Sequence, residues 1–153
     1  MPITPYLDYE DVSSAMTFLA KAFGFRRFGP QSRDARGRIV HAAMKAGTSL
    51  VMMGRPPKGY RNPRRLGQAT QCLLVEARDV DEHFARAVEA GARVLQEPSD
   101  TPFGTRRYGV TDPEGHEWHF SQRRRTRRAA PARRARDRGR HGNSPTSKRR
   151  TSG

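Results

Sequence analysis

The residues best suited to chemistry are concentrated near residue 119. Glu117 and His119 are two positions apart in residues 116–121, whose alternation of polar and apolar types predicts a β-strand. Alternate side chains of a strand share a face, so both would point the same way, with Trp118 and Phe120 on the other face. An imidazole titrates near neutral pH, so His119 is a candidate ligand-binding or acid–base residue. A cross-strand polar contact is the alternative.

Other side chains are predicted to share that face of the sheet. Arg107 carries a planar guanidinium that can anchor an anionic ligand. Cys72 is the only cysteine, which excludes an intrachain disulfide. It is either a nucleophile or soft ligand, or a small, buried apolar residue. The complete set of predicted ligand-binding residues is Tyr6, His41, Val51, Met53, Cys72, Leu74, Arg107, Glu117 and His119. Four of them are apolar or aromatic, which favours a hydrophobic or anionic small molecule as the ligand.

The landmarks of the chain recur after 68 residues. Asp11 and Asp79 each open a helical pattern, and Gly47 and Gly115 each form a turn before an apolar strand. One offset that relates two separate landmarks indicates a duplicated structural unit.

Each half contains a strand, a helix and three further strands. Asp11 and Asp79 can cap their helices, because a short carboxylate accepts hydrogen bonds from free backbone amides in the first turn. Gly24 and Gly91 are predicted to end the helices. The turn at residues 112–115, Asp-Pro-Glu-Gly, is interpreted as purely structural. The predicted strands are residues 3–9, 25–31, 37–45 and 49–53, then 69–77, 93–97, 106–111 and 116–121.

This order of elements predicts an α+β fold. Two tandem βαβββ modules, about residues 1–54 and 69–122, would form a curved mixed sheet with helices on its outer face and a concave cleft on the other. Residues 55–68, rich in Gly, Pro and Arg, form the predicted linker.

The charge is concentrated at the end of the chain. The net charge is +15; residues 1–122 hold 17 Lys and Arg against 14 Asp and Glu, whereas residues 123–153 hold 13 against Asp137 alone. This tail has too few large apolar residues to form a core and is predicted to be disordered. It is either a non-specific nucleic-acid-binding arm or a solubilising extension. Without an apolar run of about 20 residues or a signal segment, the sequence predicts no membrane association and a cytoplasmic location.

Residues 108–120, Tyr-Gly-Val-Thr-Asp-Pro-Glu-Gly-His-Glu-Trp-His-Phe, together with the two modules, resemble the vicinal oxygen chelate superfamily, which is also called the glyoxalase/bleomycin resistance/dioxygenase superfamily. Residues 3–7, Ile-Thr-Pro-Tyr-Leu, and 22–25, Ala-Phe-Gly-Phe, resemble its PhnB-like branch. The resemblance covers about residues 2–122 and implies a homodimer.

The resemblance also implies where a metal would bind. Metal-dependent members place ligands, typically His, Gln or Glu, at positions that correspond to Thr4, Val51, Cys72 and His119. The offset of 68 relates Thr4 to Cys72 and Val51 to His119. Valine cannot bind a metal and threonine is a poor ligand, so two ligands remain where a catalytic site usually has three.

The resulting functional hypothesis is a small-molecule-binding member of this superfamily without the standard metal site. Whether it catalyses a reaction is left open. One alternative is a metal-dependent lyase or dioxygenase with relocated ligands, His119 and Glu117 with either Cys72 or His41. The other is nucleic-acid association through residues 123–153.

Overall fold

The computed structural model describes residues 1–124, which contain both βαβββ modules. The first comprises β1 (Tyr6–Asp8), α1 (Val12–Phe23), β2 (Arg26–Arg33), β3 (Ile39–Ala46) and β4 (Ser49–Gly54). A short helix, α2 (Pro63–Leu66), lies in the linker. The second module comprises β5 (Cys72–Glu76), α3 (Val80–Glu89), β6 (Arg93–Asp100), β7 (Thr105–Thr111) and β8 (Glu117–Arg123). The predicted disordered tail lies outside the described residues from residue 125 onward.

Each module forms its own four-stranded mixed sheet. The strand orders are β1-β4-β3-β2 and β5-β8-β7-β6. In both sheets the first and last strands of the module pair in parallel and the other pairs are antiparallel. The predicted α+β fold of tandem modules is confirmed, with its eight strands divided between two sheets.

The two long helices start where the sequence predicts. The Asp11 carboxylate accepts a hydrogen bond from the Ser14 amide at 2.9 Å, and the Asp79 carboxylate accepts one from the Glu82 amide at 3.0 Å. Gly24 follows α1 as predicted, whereas Ala90 caps α3 and Gly91 comes one residue later. Neither helix is long and apolar enough to span a membrane, and the same holds for every helix in residues 1–124.

Two strands differ from the predicted boundaries for reasons of backbone chemistry. β1 begins only after Pro5, because proline has no amide hydrogen to offer a sheet. β6 continues through Pro98 to Asp100, three residues beyond the predicted end. Its pairing with β7 shifts register between Val94 and Gln96 and again before Ser99, and such irregularities accommodate a proline in a strand.

The helices lie between the two sheets and share one hydrophobic core. The Phe23 ring of α1 lies 5.5 Å from the ring of Trp118 and 4.7 Å from that of Phe120, both on β8 of the other module. Met44 and Met53 of the first sheet belong to the same buried cluster. Each sheet therefore has a helix face, packed on this core, and an opposite face, called the open face below.

The turn between β7 and β8 links the two modules. The buried Asp112 carboxylate accepts hydrogen bonds from the Tyr9 hydroxyl at 2.6 Å and from Trp118 Nε1 at 3.1 Å. The Glu114 carboxylate accepts hydrogen bonds from the backbone amides of Glu10 and Asp11 at 2.9 and 3.0 Å. The structural interpretation of this turn agrees with these contacts, which join it to the start of α1.

His83 connects the two helices and the second sheet. Its Nε2 lies 3.2 Å from the Phe23 carbonyl oxygen, so Nε2–H donates there and leaves Nδ1 to accept from the Tyr108 hydroxyl at 2.6 Å. Burial, reinforced by the nearby Arg86 guanidinium, lowers the pKa of His83 to about 4. The neutral ring is the form that this environment stabilises.

Lowering the pH should therefore destabilise the fold before the carboxylates titrate. Because the pKa of His83 is lower in the folded state, the unfolded chain takes up its proton first, and stability falls as the pH drops below about 6.5 towards 4. The ring is partly exposed, so solvent screening reduces the expected loss to about 1 kcal/mol between pH 7 and pH 5. Urea unfolding at both pH values should show this loss in the wild type and a smaller one in His83→Gln. An equal loss in the two proteins would contradict the assignment.

Candidate functional site

On the open face of the first sheet, Tyr6 and His41 form a pair across β4. The Tyr6 hydroxyl lies 3.1 Å from His41 Nδ1, and their rings are stacked with centroids 5.7 Å apart. Tyr6 reaches His41 by lying over Gly54, where an added Cβ would collide with the tyrosine hydroxyl. The structure thus brings these two predicted site residues together, and a glycine in the strand makes room for them.

On the open face of the second sheet, His119 lies over Gly109 in a similar way. A Cβ at Gly109 would lie 2.7 Å from His119 Cε1. Burial lowers the pKa of His119, and Arg107 adds to this effect while Glu117 opposes it. His119 Nδ1 and Arg107 Nε are both buried without a hydrogen-bond partner among the described residues. Two neighbouring polar atoms without partners indicate that a ligand or solvent completes this site.

The strand pairing shows which positions of the two modules are equivalent. Tyr6 of β1 pairs with Met52 of β4, and Leu74 of β5 pairs with His119 of β8. Met52, rather than Val51, is therefore the counterpart of His119. The offset between the modules is 68 residues at their first strands but 67 at their last.

Up to its third strand the second module is two residues shorter than the first, because the third strands are offset by only 66 residues. A longer last turn then restores one of these two residues. Lys45 pairs with Leu50 across four intervening residues, whereas Thr111 pairs with Glu117 across five. Because strand side chains alternate, a shift of one residue exchanges the two faces.

Val51 and Met53 therefore do not share the open face with the other predicted site residues. Both are core residues on the helix face, with relative exposures of 3% and 0%. The same face of β8 carries Trp118 and Phe120. Leu74, 62% exposed, lies on the open face as predicted.

The structure does not agree with the prediction that Cys72 is a buried residue. It is exposed rather than a small buried apolar residue. It lies at the start of β5 and pairs with Glu117 of β8, on the open face of the second sheet. Cys72, Glu117 and His119 thus share that face.

The donor set does not fit the metal site that the resemblance implies. Thr4 precedes β1, Val51 is in the core, and the true counterpart of His119 is a methionine. Within residues 1–124, no group of three or more His, Cys, Asp or Glu side chains converges in a way that could hold a metal ion. His41, offered as a relocated ligand, lies on the other sheet from His119.

Two cavities among the described residues contain only some of the predicted site residues. One, of about 620 Å³, lies between the start of the first sheet and β5, with Leu50, Val51 and Leu74 in its wall. The other, of about 460 Å³, lies under the linker, with Arg64 and Glu117 in its wall. Neither contains Tyr6, His41, Arg107 or His119, which belong to the open sheet surfaces.

Sequence reasoning missed the two glycines that hold the open-face rings. Gly54 and Gly109 both lie within strands, where glycine weakens the strand and often marks a close approach of another group. That signal was available in the sequence, but it does not identify which side chain approaches.

Gly109→Ala should displace the His119 ring with little loss of stability. The new Cβ would contact the end of a side chain that can move outward, so the stability cost should stay below about 1 kcal/mol. The pKa of His119, measured by NMR, should rise because the ring gains solvent. Gly54→Ala is the matched control: it should alter the His41 signals and leave those of His119 unchanged. An unchanged His119 titration in Gly109→Ala would contradict the proposed contact.

Comparisons with known proteins agree with this architecture. The model of the Glyoxalase/Bleomycin resistance protein/Dioxygenase superfamily matches residues 7–120. The crystal structure of TioX from Micromonospora sp. ML1 is 36% identical, covers 80% of this chain and 95% of its own, and has a TM-score of 0.65. An uncharacterized protein of Mycobacterium bovis is 31% identical over 78% of this chain and 82% of its own. A superfamily member from Sphaerobacter thermophilus, 18% identical, shares the fold over 80% of this chain and 96% of its own with a TM-score of 0.61.

Proposed function

The chain belongs to the glyoxalase/bleomycin resistance protein/dioxygenase superfamily, and we propose that it binds a small hydrophobic or anionic molecule on its open sheet faces without the superfamily's metal site. The observation that carries this proposal is the pair of unpartnered atoms, His119 Nδ1 and Arg107 Nε, beside the exposed Leu74. Ligand sites combine a largely apolar surface with a few convergent polar groups. The absence of a metal site is proposed from the donor types described above. Membership of the PhnB-like branch and a cytoplasmic location stay predictions.

We also propose that the working form is a homodimer. Both helix faces pack on one core, so the two open faces of a chain point away from each other. A ligand on either face would be enclosed only if the open face of a second copy covered it. Tyr6, Phe28 and Leu74 remain 43–62% exposed in the single chain, and large exposed apolar side chains of this kind are typical of an interface.

Sedimentation of the full chain tests the dimer. The wild type should sediment as a dimer, and Leu74→Asp should shift it towards the monomer because a charge would be buried in the interface. Leu66→Asp is the matched control: Leu66 is 50% exposed on α2, in the linker and outside both sheets. A monomeric wild type at micromolar concentration would overturn this proposal.

A thermal-shift screen of the full chain tests ligand binding. The compounds should include aromatic and aliphatic acids, their neutral analogues and uncharged hydrophobic molecules. At a hundred times its Kd, a ligand that binds only the folded state stabilises it by about 2.7 kcal/mol. The effect should be lost in Leu74→Asp and retained in Phe103→Asp, which alters a residue 90% exposed in the β6–β7 loop. Failure of every compound to stabilise the wild type would count against a binding function.

The charge of the tail favours a second candidate function, non-specific association with nucleic acid. Thirteen basic residues against one acidic residue in residues 123–153 could contact phosphates, and such binding weakens steeply with salt. Because β8 extends to Arg123, the truncation that tests this should end after Arg124. The full chain should bind duplex DNA far more weakly at 200 mM than at 50 mM salt. Equal DNA binding by the truncated chain would refute a role for the tail.

A further inference from the structure

We propose that the open face of the second sheet recognises the carboxylate of a small organic monoanion, with Arg107 as its charge partner and His119 as a second hydrogen-bond donor. This inference rests on the proposed binding function and names the class of ligand. It depends on the charge, the unpartnered atoms and the strand neighbours of these two residues.

Arg107 is a half-buried cation without a partner among the described residues. Its neighbours across the sheet are Ser99 on β6 and Ser121 on β8, which offer hydroxyl groups rather than carboxylates. Among residues 1–124 it forms no ion pair, and its Nε is buried without a hydrogen bond. A guanidinium presents a planar fork that matches a carboxylate through two parallel hydrogen bonds.

The adjacent Arg106 shows that this lack of a partner is specific to one face. Arg106 points to the other side of β7, where it contacts Asp81 at 2.8 Å and Asp100 at 3.3 Å. The two neighbouring arginines of this strand thus differ in whether the protein supplies an acidic partner. The charge of Arg106 is balanced within the protein, whereas that of Arg107 is available to a ligand.

His119 contributes a hydrogen bond to the site rather than a second charge. Burial and the Arg107 charge lower its pKa, which favours the neutral ring, while Glu117 opposes this effect. The ring stands over Gly109, in the strand that carries Arg107, and its unpartnered Nδ1 can donate in the Nδ1–H tautomer.

The surrounding acidic residues limit the site to one negative charge on the ligand. Glu117 is two positions from His119 on the same face of β8. Glu76 lies beyond Ser121 on β5, where it already contacts Arg123 at 3.7 Å. With one unbalanced cation and these acids nearby, a dianion such as phosphate would be repelled more than a monoanion.

The rest of the ligand should be apolar. Leu74, 62% exposed, is the strand neighbour of His119 on β5. An aromatic or aliphatic body that extends from the carboxylate over the imidazole would cover this leucine. The chemistry therefore fits a hydrophobic carboxylic acid better than a sugar or a polar anion.

Binding of benzoate to the full-length protein tests the proposal directly. Titrations followed by ¹H–¹⁵N NMR should compare benzoate with benzamide, which has the same shape without the charge, and with inorganic phosphate. The variants are Arg107→Gln and the matched control Arg106→Gln, on the opposite face of the same strand. Thermal unfolding of each variant verifies that it is folded.

The expected result is that benzoate perturbs the amides around residues 107, 109 and 119. Its Kd should be at least tenfold lower than that of benzamide and of phosphate, and should rise at least tenfold in Arg107→Gln but less than twofold in Arg106→Gln. Equal affinity for benzoate and benzamide, or an unchanged Kd in Arg107→Gln, would overturn the inference.

Failure of the carboxylate inference can be distinguished from failure of the proposed binding function. If Leu74-dependent stabilisation by uncharged compounds persists while benzoate does not bind, only the carboxylate inference fails. If no compound of either kind binds, both fail.

Discussion

Asp112→Ala is expected to lower the free energy of unfolding by about 3–5 kcal/mol, a large fraction of the stability of a domain this size. The carboxylate is the common acceptor for the Tyr9 hydroxyl, the Trp118 indole and the backbone amides of Glu114 and His116. Alanine would leave the hydroxyl and the indole donor buried without partners, and each such group costs about 1–3 kcal/mol. Urea unfolding followed by Trp118 fluorescence measures the loss.

The control for this prediction is an acidic residue whose contacts are exposed. Asp81 contacts Arg106 at 2.8 Å with 60% of its side chain exposed, so Asp81→Ala should destabilise the protein far less than Asp112→Ala. Asp112→Asn should fall between the two, because its amide can still accept through one oxygen. If Asp112→Ala and Asp81→Ala lost similar amounts, the central role given to this turn would be wrong.

Gly115→Ala is expected to cost about 2–4 kcal/mol for two separate reasons. Its φ of +90° lies in the region that side chains with a Cβ rarely adopt, which costs about 1–2 kcal/mol. An added Cβ would also collide with the backbone of Arg64 in α2, whose amide donates to the Glu114 carbonyl at 2.9 Å. A backbone atom cannot swing away as the end of a side chain can, so the linker would have to separate from the turn.

Gly47 offers a control in the corresponding turn of the first module. Its φ is +61°, but a Cβ there would meet nothing within 4 Å. Gly47→Ala should therefore show only the cost of the backbone conformation, and the difference between the two variants isolates the contact with the linker. Hydrogen exchange should also show faster exchange of the Arg64 amide in Gly115→Ala. Equal destabilisation by both substitutions would mean that the linker contact contributes nothing.

The sequence was sufficient to predict the elements because local chemistry defines them. Asp11 and Asp79 cap their helices through their own carboxylates, so both helix starts could be predicted within one residue. The alternation in β8 placed Trp118 in the core and His119 on the open face without knowledge of the fold.

The face of β4 could not be predicted in the same way. Its residues 50–53 are Leu, Val, Met and Met, which are apolar at both odd and even positions. Alternation carries no information there, and the assumed constant offset supplied the wrong face. The actual face follows from pairing with β1 and β3, which local sequence does not encode.

The contacts between the modules also could not be predicted from local sequence patterns. The Tyr9–Asp112 hydrogen bond joins residues 103 positions apart, and the exposure of Cys72 depends on its place in the edge strand β5. The positions of Gly54 and Gly109 were visible in the sequence. Only the folded structure shows which rings lie over these glycines.

The extra residue between β7 and β8 shows how loop length can change the surface of one half of a duplicated protein. Adding an odd number of residues to a hairpin can exchange the two sides of the following strand, whereas adding an even number preserves them. Loop-length parity could thus let two ancestral copies diverge in one step, without any substitution in the strand itself. Here it leaves a methionine at one of the paired positions and an imidazole at the other. The two halves keep the same architecture, yet they offer a ligand chemically different surfaces.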